Sequence, residues 1–194
     1  MRIKILIIGL CALSLCLFAV PAMTASTQYQ YPIKIKGHPG KDITPSQALK
    51  MVKENSRTFI VDVRSRPEFV LVGHPVMAYL VPLKFWTGKH ASKGYGMKTN
   101  EDFIKNLKAL FNMETDTLIF MCRSGKRSCQ ATEVAIKGGW SKDKIYNMMG
   151  GFEGDKLKNE TSIFNGKRTM GGWKNEGLPW TYKVESKLGY SETN

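Results

Sequence analysis

The chain predicts an α/β fold: a mostly parallel central sheet of about five strands with helices on both faces. Strand-like runs at 59–63, 76–82, 117–121 and 145–148 alternate with stretches of helical period at 45–55, 101–111 and 129–137. Two of the runs, Phe59-Ile60-Val61-Asp62-Val63 and Thr117-Leu118-Ile119-Phe120-Met121, are almost continuously β-branched or apolar, the pattern of strands covered on both faces. The segment that carries this alternation, 42–182, has the length of one domain.

Residues 1–25 carry Arg2 and Lys4, an apolar run over 5–20 and a small-residue end, the layout of a secretory signal peptide cut after Ala22 or Ala25. The run is shorter than the ~20 residues that span a bilayer, so no stable membrane anchor is expected after cleavage. Leu10 and Leu15 precede Cys11 and Cys16, where a lipoprotein signal has a small residue. The expectation is an exported protein, periplasmic in a bacterium, that loses Cys11 and Cys16 with its leader and keeps Cys122 and Cys129.

Residues 26–41 are polar and read as an exposed N-terminal segment, with a short edge strand at 31–35. Thr44 then caps a helix, Pro45 suits its first turn, and Ala48, Leu49 and Val52 share a face. After the strand at 59–63, Gly73-His74-Pro75 reads as a structural turn and 76–82 as a short strand. Residues 83–100 hold Phe85, Trp86, Tyr95 and several lysines and read as a long inserted loop, either reaching over the site or pinned to the body by Phe85 and Trp86. Thr99 or Asn100 caps the next helix, whose apolar face is Phe103, Ile104, Leu107, Leu110 and Phe111. The helix over 129–137 ends at Gly138-Gly139. A second inserted loop occupies 152–169, Trp173 and Trp180 close the core, and 183–194 form a C-terminal tail.

The chemistry concentrates where the strand at 117–121 stops. Cys122-Arg123-Ser124-Gly125-Lys126-Arg127-Ser128 leads from that strand into a helix. The first N–H groups of a helix lack internal partners, and the dipole there favours negative charge. A loop curling into that terminus aims further N–H groups at one point. Cys122 at the centre of such a cradle is favoured as thiolate, and Arg123, Lys126 and Arg127 add positive charge. An anion, whether thiolate, persulfide or bound oxyanion, is what this loop is built to hold.

Strand, Cys-Arg-Ser-Gly-Lys-Arg-Ser and helix together resemble the active-site loop of the rhodanese family of sulfurtransferases. Other segments follow in that family's order: Val61-Asp62-Val63-Arg64 with Pro67-Glu68-Phe69; Gly73-His74-Pro75, then Ala78 and Pro82; and Met149-Gly150-Gly151-Phe152 with Gly171-Gly172-Trp173-Lys174 and Gly177-Leu178-Pro179. The resemblance implies a rhodanese-like topology and a thiosulfate sulfurtransferase-like enzyme with Cys122 as nucleophile. It implies Arg123, Ser124, Gly125, Lys126, Arg127 and Ser128 as the anion cradle. It implies no metal and no organic cofactor, the sulfur being carried as a covalent Cys122 persulfide. The partners implied are a small anionic sulfur donor and a thiol or cyanide-type acceptor.

Two side chains admit two roles each, and a third reads as structural. Arg64 either supports the site electrostatically or holds the strand end in an ion pair with Asp62 or Glu68. Cys129 is a small buried residue or a resolving thiol. His74 is structural, since sulfur transfer needs no histidine base. A persulfide carrier without turnover is the alternative function, and a phosphatase or arsenate reductase a further one. Those oxyanion loops separate cysteine and arginine by five residues, whereas four lie between Cys122 and Arg127. A disulfide oxidoreductase is disfavoured by the lack of Cys-x-x-Cys. The charge is strongly basic, 29 Lys and Arg against 16 Asp and Glu. The lysines are scattered and the protein is expected outside the cytoplasm, so nucleic acid is excluded. Steering of small anions, or docking of an acidic periplasmic protein, accounts for the charge.

Overall fold

Five parallel strands form the centre of the molecule, a computed structural model that describes residues 29–31, 37–92 and 94–191. The expected leader at 1–25 and most of the expected edge strand at 31–35 lie outside the described residues. In chain order the elements are β1 (Lys41–Ile43), α1 (Pro45–Glu54), β2 (Thr58–Asp62), α2 (Arg66–Val72), β3 (His74–Pro75), β4 (Tyr79–Leu80), β5 (Lys84–Ala91), β6 (Gly94–Thr99), α3 (Phe103–Leu110), β7 (Thr117–Met121), α4 (Lys126–Lys137), β8 (Ile145–Met148), β9 (Asp155–Lys156), β10 (Arg168–Met170) and β11 (Trp180–Thr181). The sheet runs β1-β8-β7-β2-β4, every neighbouring pair parallel.

The two cores explain why the central strands lack polar alternation. On one face Val61, Leu118 and Phe120 pack with Phe103 and Leu107 of α3 and Ala131 and Ala135 of α4. On the other, Ile60, Ile119 and Met121 pack with Ala48 of α1, Phe69 of α2, Phe152 and Trp173. Alternate residues of one strand therefore feed opposite cores, and both must be apolar. Each helix start has a local cause. Thr44 and Gln47 form a capping box around α1, with Pro45 in the first turn. Ser65 and Glu68 repeat the device at α2. Ahead of α3, Asn100 Oδ1 accepts from Asp102 N–H.

The structure departs from expectation in several places: α2 was not expected, the strand expected over 76–82 is confined to β4, and α4 starts at Lys126 rather than at 129. The fifth strand is β1, three residues beside β8; so short an edge strand, with Lys41 and Asp42 exposed, leaves no periodic signal. Residues 83–100 form a β-hairpin rather than a loop, with Lys84 opposite Thr99 and Trp86 opposite Met97. Phe85 packs on Tyr190, but Trp86 stays half exposed against Tyr95, so it does not pin the segment to the body. Leu110, expected on the buried face of α3, is exposed. The tail is partly built in: Leu188 is buried and its carbonyl accepts from Leu80 N–H at 2.8 Å, covering the edge beside β4.

Candidate active site

Cys122 follows β7 directly and is 2% exposed, at the carboxyl edge of the sheet. The chain turns into α4 through Gly125, whose φ of +103° suits a residue without a Cβ. That turn points Gly125 N–H at Cys122 Sγ, 3.2 Å away. The backbone N–H groups of Lys126, Arg127 and Ser128, in the first turn of α4, have no intrahelical acceptor. The cradle inferred from the sequence is thus a strand end facing a helix start, with the sulfur between them.

Ser128 stands beneath the sulfur. Its Oγ lies 3.5 Å from Cys122 Sγ, 2.8 Å from Gly125 O and 2.7 Å from Asn147 Oδ1. Asn147 Nδ2 in turn donates to Asp42 Oδ1 at 2.7 Å, and His38 Nε2 lies 3.1 Å from the same oxygen. A polar line, buried at Asn147 and Ser128, therefore runs from the exposed Asp42 of β1 to the thiol. Asn147 was missed by sequence reasoning, though a buried asparagine in the apolar run of β8 was the available sign. Asp42 offered none, because only the β1–β8 register brings it close.

The basic residues of the loop divide. Arg123 and Lys126 are exposed. Arg127 is not free: its two Nη atoms donate to Glu68 of α2 at 2.7 and 2.5 Å. Burial works to raise the Glu68 carboxyl, yet the Arg127 hydrogen bonds and charge, with help from Ser65, bring it down to about 2. Burial likewise works against the Arg127 cation, and Glu68 more than offsets it, so Arg127 is raised. The pair ties α4 to α2 and fixes the loop between them.

Arg64 is fully buried. It pairs with Asp62 at 2.6 Å, donates to Gly73 O at 2.7 Å and lies over the Phe152 ring at 4.5 Å. Its charge is spent on joining β2, the end of α2 and the segment beneath Cys122. His74 stacks on Phe69 at 3.5 Å with Nδ1 3.0 Å from Phe69 O, a structural placement. Cys129 lies in the first turn of α4, a free thiol that burial, with the nearby Asp42 and Cys122, pushes up to about 12.

Gly151 closes the site from below. It has φ +57°, and a Cβ there would lie 2.2 Å from Cys122 O. The next residues run along the loop: Phe152 N–H donates to Cys122 O at 2.8 Å and Glu153 N–H to Arg123 O at 3.0 Å. The insertion that follows folds back as β9 and β10, and Arg168 Nη1 reaches Gly154 O at 2.6 Å. Arg168 thus enters the neighbourhood of the site, which nothing in the sequence of the insertion announces.

A profile of the rhodanese-like domain matches residues 44–158 of the chain. The chain belongs to the rhodanese-like family. An uncharacterized protein of Rickettsia prowazekii is 29% identical over 143 residues, covering 73% of this chain and 98% of that protein. Rhodanese-like domain-containing protein 17 of Arabidopsis thaliana is 33% identical over 57% of this chain and 64% of its own length. Among solved structures, the crystal structure of Rv0390 from M. tuberculosis superposes with a TM-score of 0.58 at 33% identity, over 74% of this chain and 98% of that one. Membership of this sulfur-transfer family agrees with the parallel five-stranded sheet, its four helices and the cysteine at the end of its central strand.

Proposed function

We propose that this protein is a sulfurtransferase that moves a sulfane sulfur from a thiosulfate-like donor to a thiol or cyanide-type acceptor through a persulfide on Cys122. The observation that carries the reading is the placement of Cys122 Sγ, 3.2 Å from Gly125 N–H and facing the start of α4. The Cys122 thiolate attacks the outer sulfur of thiosulfate. A bond forms from Sγ to that sulfur, the donor's S–S bond breaks, and its electron pair leaves on sulfite. The persulfide anion stays on Cys122, stabilised by amides already oriented toward it. Cyanide or a thiolate then attacks the terminal sulfur, and the electron pair of the Cys122–sulfur bond returns to Cys122. Charge balances in both halves, and the cycle is ping-pong.

A phosphatase reading is disfavoured by a specific contact. Such a loop needs its arginine on the phosphoryl oxygens, and Arg127 has both Nη atoms on Glu68. A resolving role for Cys129 is disfavoured by its burial and its thiol at about 12. Export belongs to the same proposal: after cleavage of 1–25 the protein works in the periplasm as a soluble chain. Its basic surface there gathers small anions or docks an acidic protein.

The test is thiosulfate:cyanide transfer by wild type and Cys122→Ser, with intact mass measured on protein loaded with thiosulfate and no acceptor. Wild type gains one sulfur and turns over; Cys122→Ser does neither and keeps the fold. Comparable turnover in the two proteins overturns the assignment, whereas a persulfide without turnover favours a sulfur carrier. Finding intact leader on protein that only detergent extracts would overturn the exported, soluble form.

A further inference from the structure

The β5–β6 hairpin leaves the body as a ribbon of two strands that pair with each other and not with the central sheet. Its root is held on both strands. Leu83 N–H donates to Val63 O at 3.2 Å, Asn100 N–H to Leu83 O at 3.0 Å and Asn100 Nδ2 to Pro82 O at 2.8 Å. Val63 N–H in turn donates to Met121 O at 2.9 Å, the residue before Cys122. The ribbon therefore rises from the same carboxyl edge of the sheet that carries the thiol.

Opposite residues of antiparallel strands share a face, and so do alternate residues of one strand. The pairs Lys84–Thr99, Trp86–Met97 and His90–Tyr95 thus lie on one face, and Phe85 with Lys98 on the other. The second face meets the body through Phe85, whose ring centre lies 5.7 Å from that of Tyr190. On the first, Trp86 stacks on Tyr95 at 6.2 Å, and the Tyr95 ring lies 5.0 Å from His90. Trp86, Tyr95 and Met97 are 48%, 54% and 38% exposed, a contiguous apolar patch rather than scattered single residues. Residues 84–99 hold Lys84, Lys89, Lys93 and Lys98 and no Asp or Glu. Lys84 stands at the root of the aromatic face and the exposed Lys89 toward its tip.

Tryptophan and tyrosine rings settle at the headgroup level of a bilayer, and lysines beside them reach the phosphates. An anionic leaflet repels every carboxylate set against it. A specific protein interface instead fixes its register with charges of both signs. The complete lack of acidic residues over 84–99 therefore favours lipid. We propose that the Trp86 face of the β5–β6 ribbon is a reversible docking site for an anionic phospholipid surface. Docking brings the sheet edge that carries Cys122 within the length of the ribbon, about 25 Å, of the leaflet. The site is peripheral, and it is independent of the sulfur chemistry proposed above.

The chain lacking residues 1–25 is sedimented with vesicles of phosphatidylcholine alone and of phosphatidylcholine and phosphatidylglycerol in equal parts. It is expected to follow the anionic vesicles only, and to be released by salt, because the attraction is screened over ~10 Å at 0.1 M ionic strength. Indole emission should shift to the blue on binding, and Trp86→Phe should remove most of that shift. A lysine at such a surface is worth about fivefold in partition, so Lys84→Gln with Lys89→Gln should weaken binding about thirtyfold. Trp86→Ala with Tyr95→Ala should weaken it about tenfold or more. Lys98→Gln, on the face turned to the body, should cost less than Lys84→Gln. Thermal unfolding and turnover without vesicles should match wild type in all of these variants, which separates lost docking from misfolding. Equal partition to the two kinds of vesicle, or partition that the ribbon variants leave unchanged, overturns the proposal. Ribbon-dependent binding to polyglutamate without binding to anionic vesicles overturns it in favour of an acidic protein partner.

Discussion

The contact between Glu68 and Arg127 carries a quantitative prediction. Glu68→Gln keeps the size of the side chain and its capping contact with Ser65 but removes the charge facing Arg127. Glu68 is held at about 2 against an ordinary value of 4.5. At ~1.4 kcal/mol per pH unit, that difference is worth about 3 kcal/mol of folding stability at neutral pH. The side chains are only 12% (Glu68) and 20% (Arg127) exposed, so solvent screens little of it, and about 2–3 kcal/mol is the expected loss. The sign follows from the direction of the shift. The folded value lies below the unfolded one, so the stabilisation is complete above the unfolded value of 4.5 and is lost as pH falls toward about 2. Urea unfolding of wild type and variant at about pH 7 and about pH 3 measures it. The gap should be about 2–3 kcal/mol at the first and shrink toward zero with acid. A gap below about 0.5 kcal/mol at neutral pH, or one that acid leaves unchanged, would refute the claim that this pair anchors the loop.

Three further outcomes are expected. Gly151→Ala places a Cβ 2.2 Å from Cys122 O at a left-handed φ, so it should cost more than about 2 kcal/mol and lower sulfurtransfer with it; chemical denaturation alongside the activity assay checks both. On a chain lacking residues 1–25, iodoacetamide near pH 8 should label Cys122, whose Sγ accepts from Gly125 N–H, well before Cys129, whose thiol is pushed up to about 12; peptide mapping that finds both labelled at similar rates in the native protein would count against the inert role of Cys129. Thiosulfate should be a better substrate than phosphate esters or 3-mercaptopyruvate, and its capture should weaken with salt, because part of the attraction is screened over ~10 Å at 0.1 M ionic strength. A phosphatase rate above the sulfurtransferase rate, or mercaptopyruvate as the better donor, contradicts that selectivity.

The amino-acid sequence by itself determined the parts of this protein that depend on neighbours along the chain. The run from Thr117 to Met121 had to be a strand covered on both sides, and the residues after Ser128 had to form a helix; the structure starts that helix three residues earlier, at Lys126. Cys122 was therefore placed before helix-start amides with no reference to the rest of the molecule. Caps such as Thr44 with Gln47 were legible for the same reason, since they join residues within one turn. Tertiary structure decided which charges remain available. Arg123 and Arg127 look equivalent in the sequence, yet Glu68, across the α2–α4 contact, takes Arg127 and leaves Arg123 exposed. Arg168 looks like one more cation in a polar insertion, yet the β9–β10 turn returns it to Gly154. Asp42 and Asn147 meet only because β1 and β8 pair in one register. The reason is physical: backbone preference and burial pattern are local and repeat along the chain. Ion pairing depends on distances between segments that are set only when the sheet and its two helical layers close.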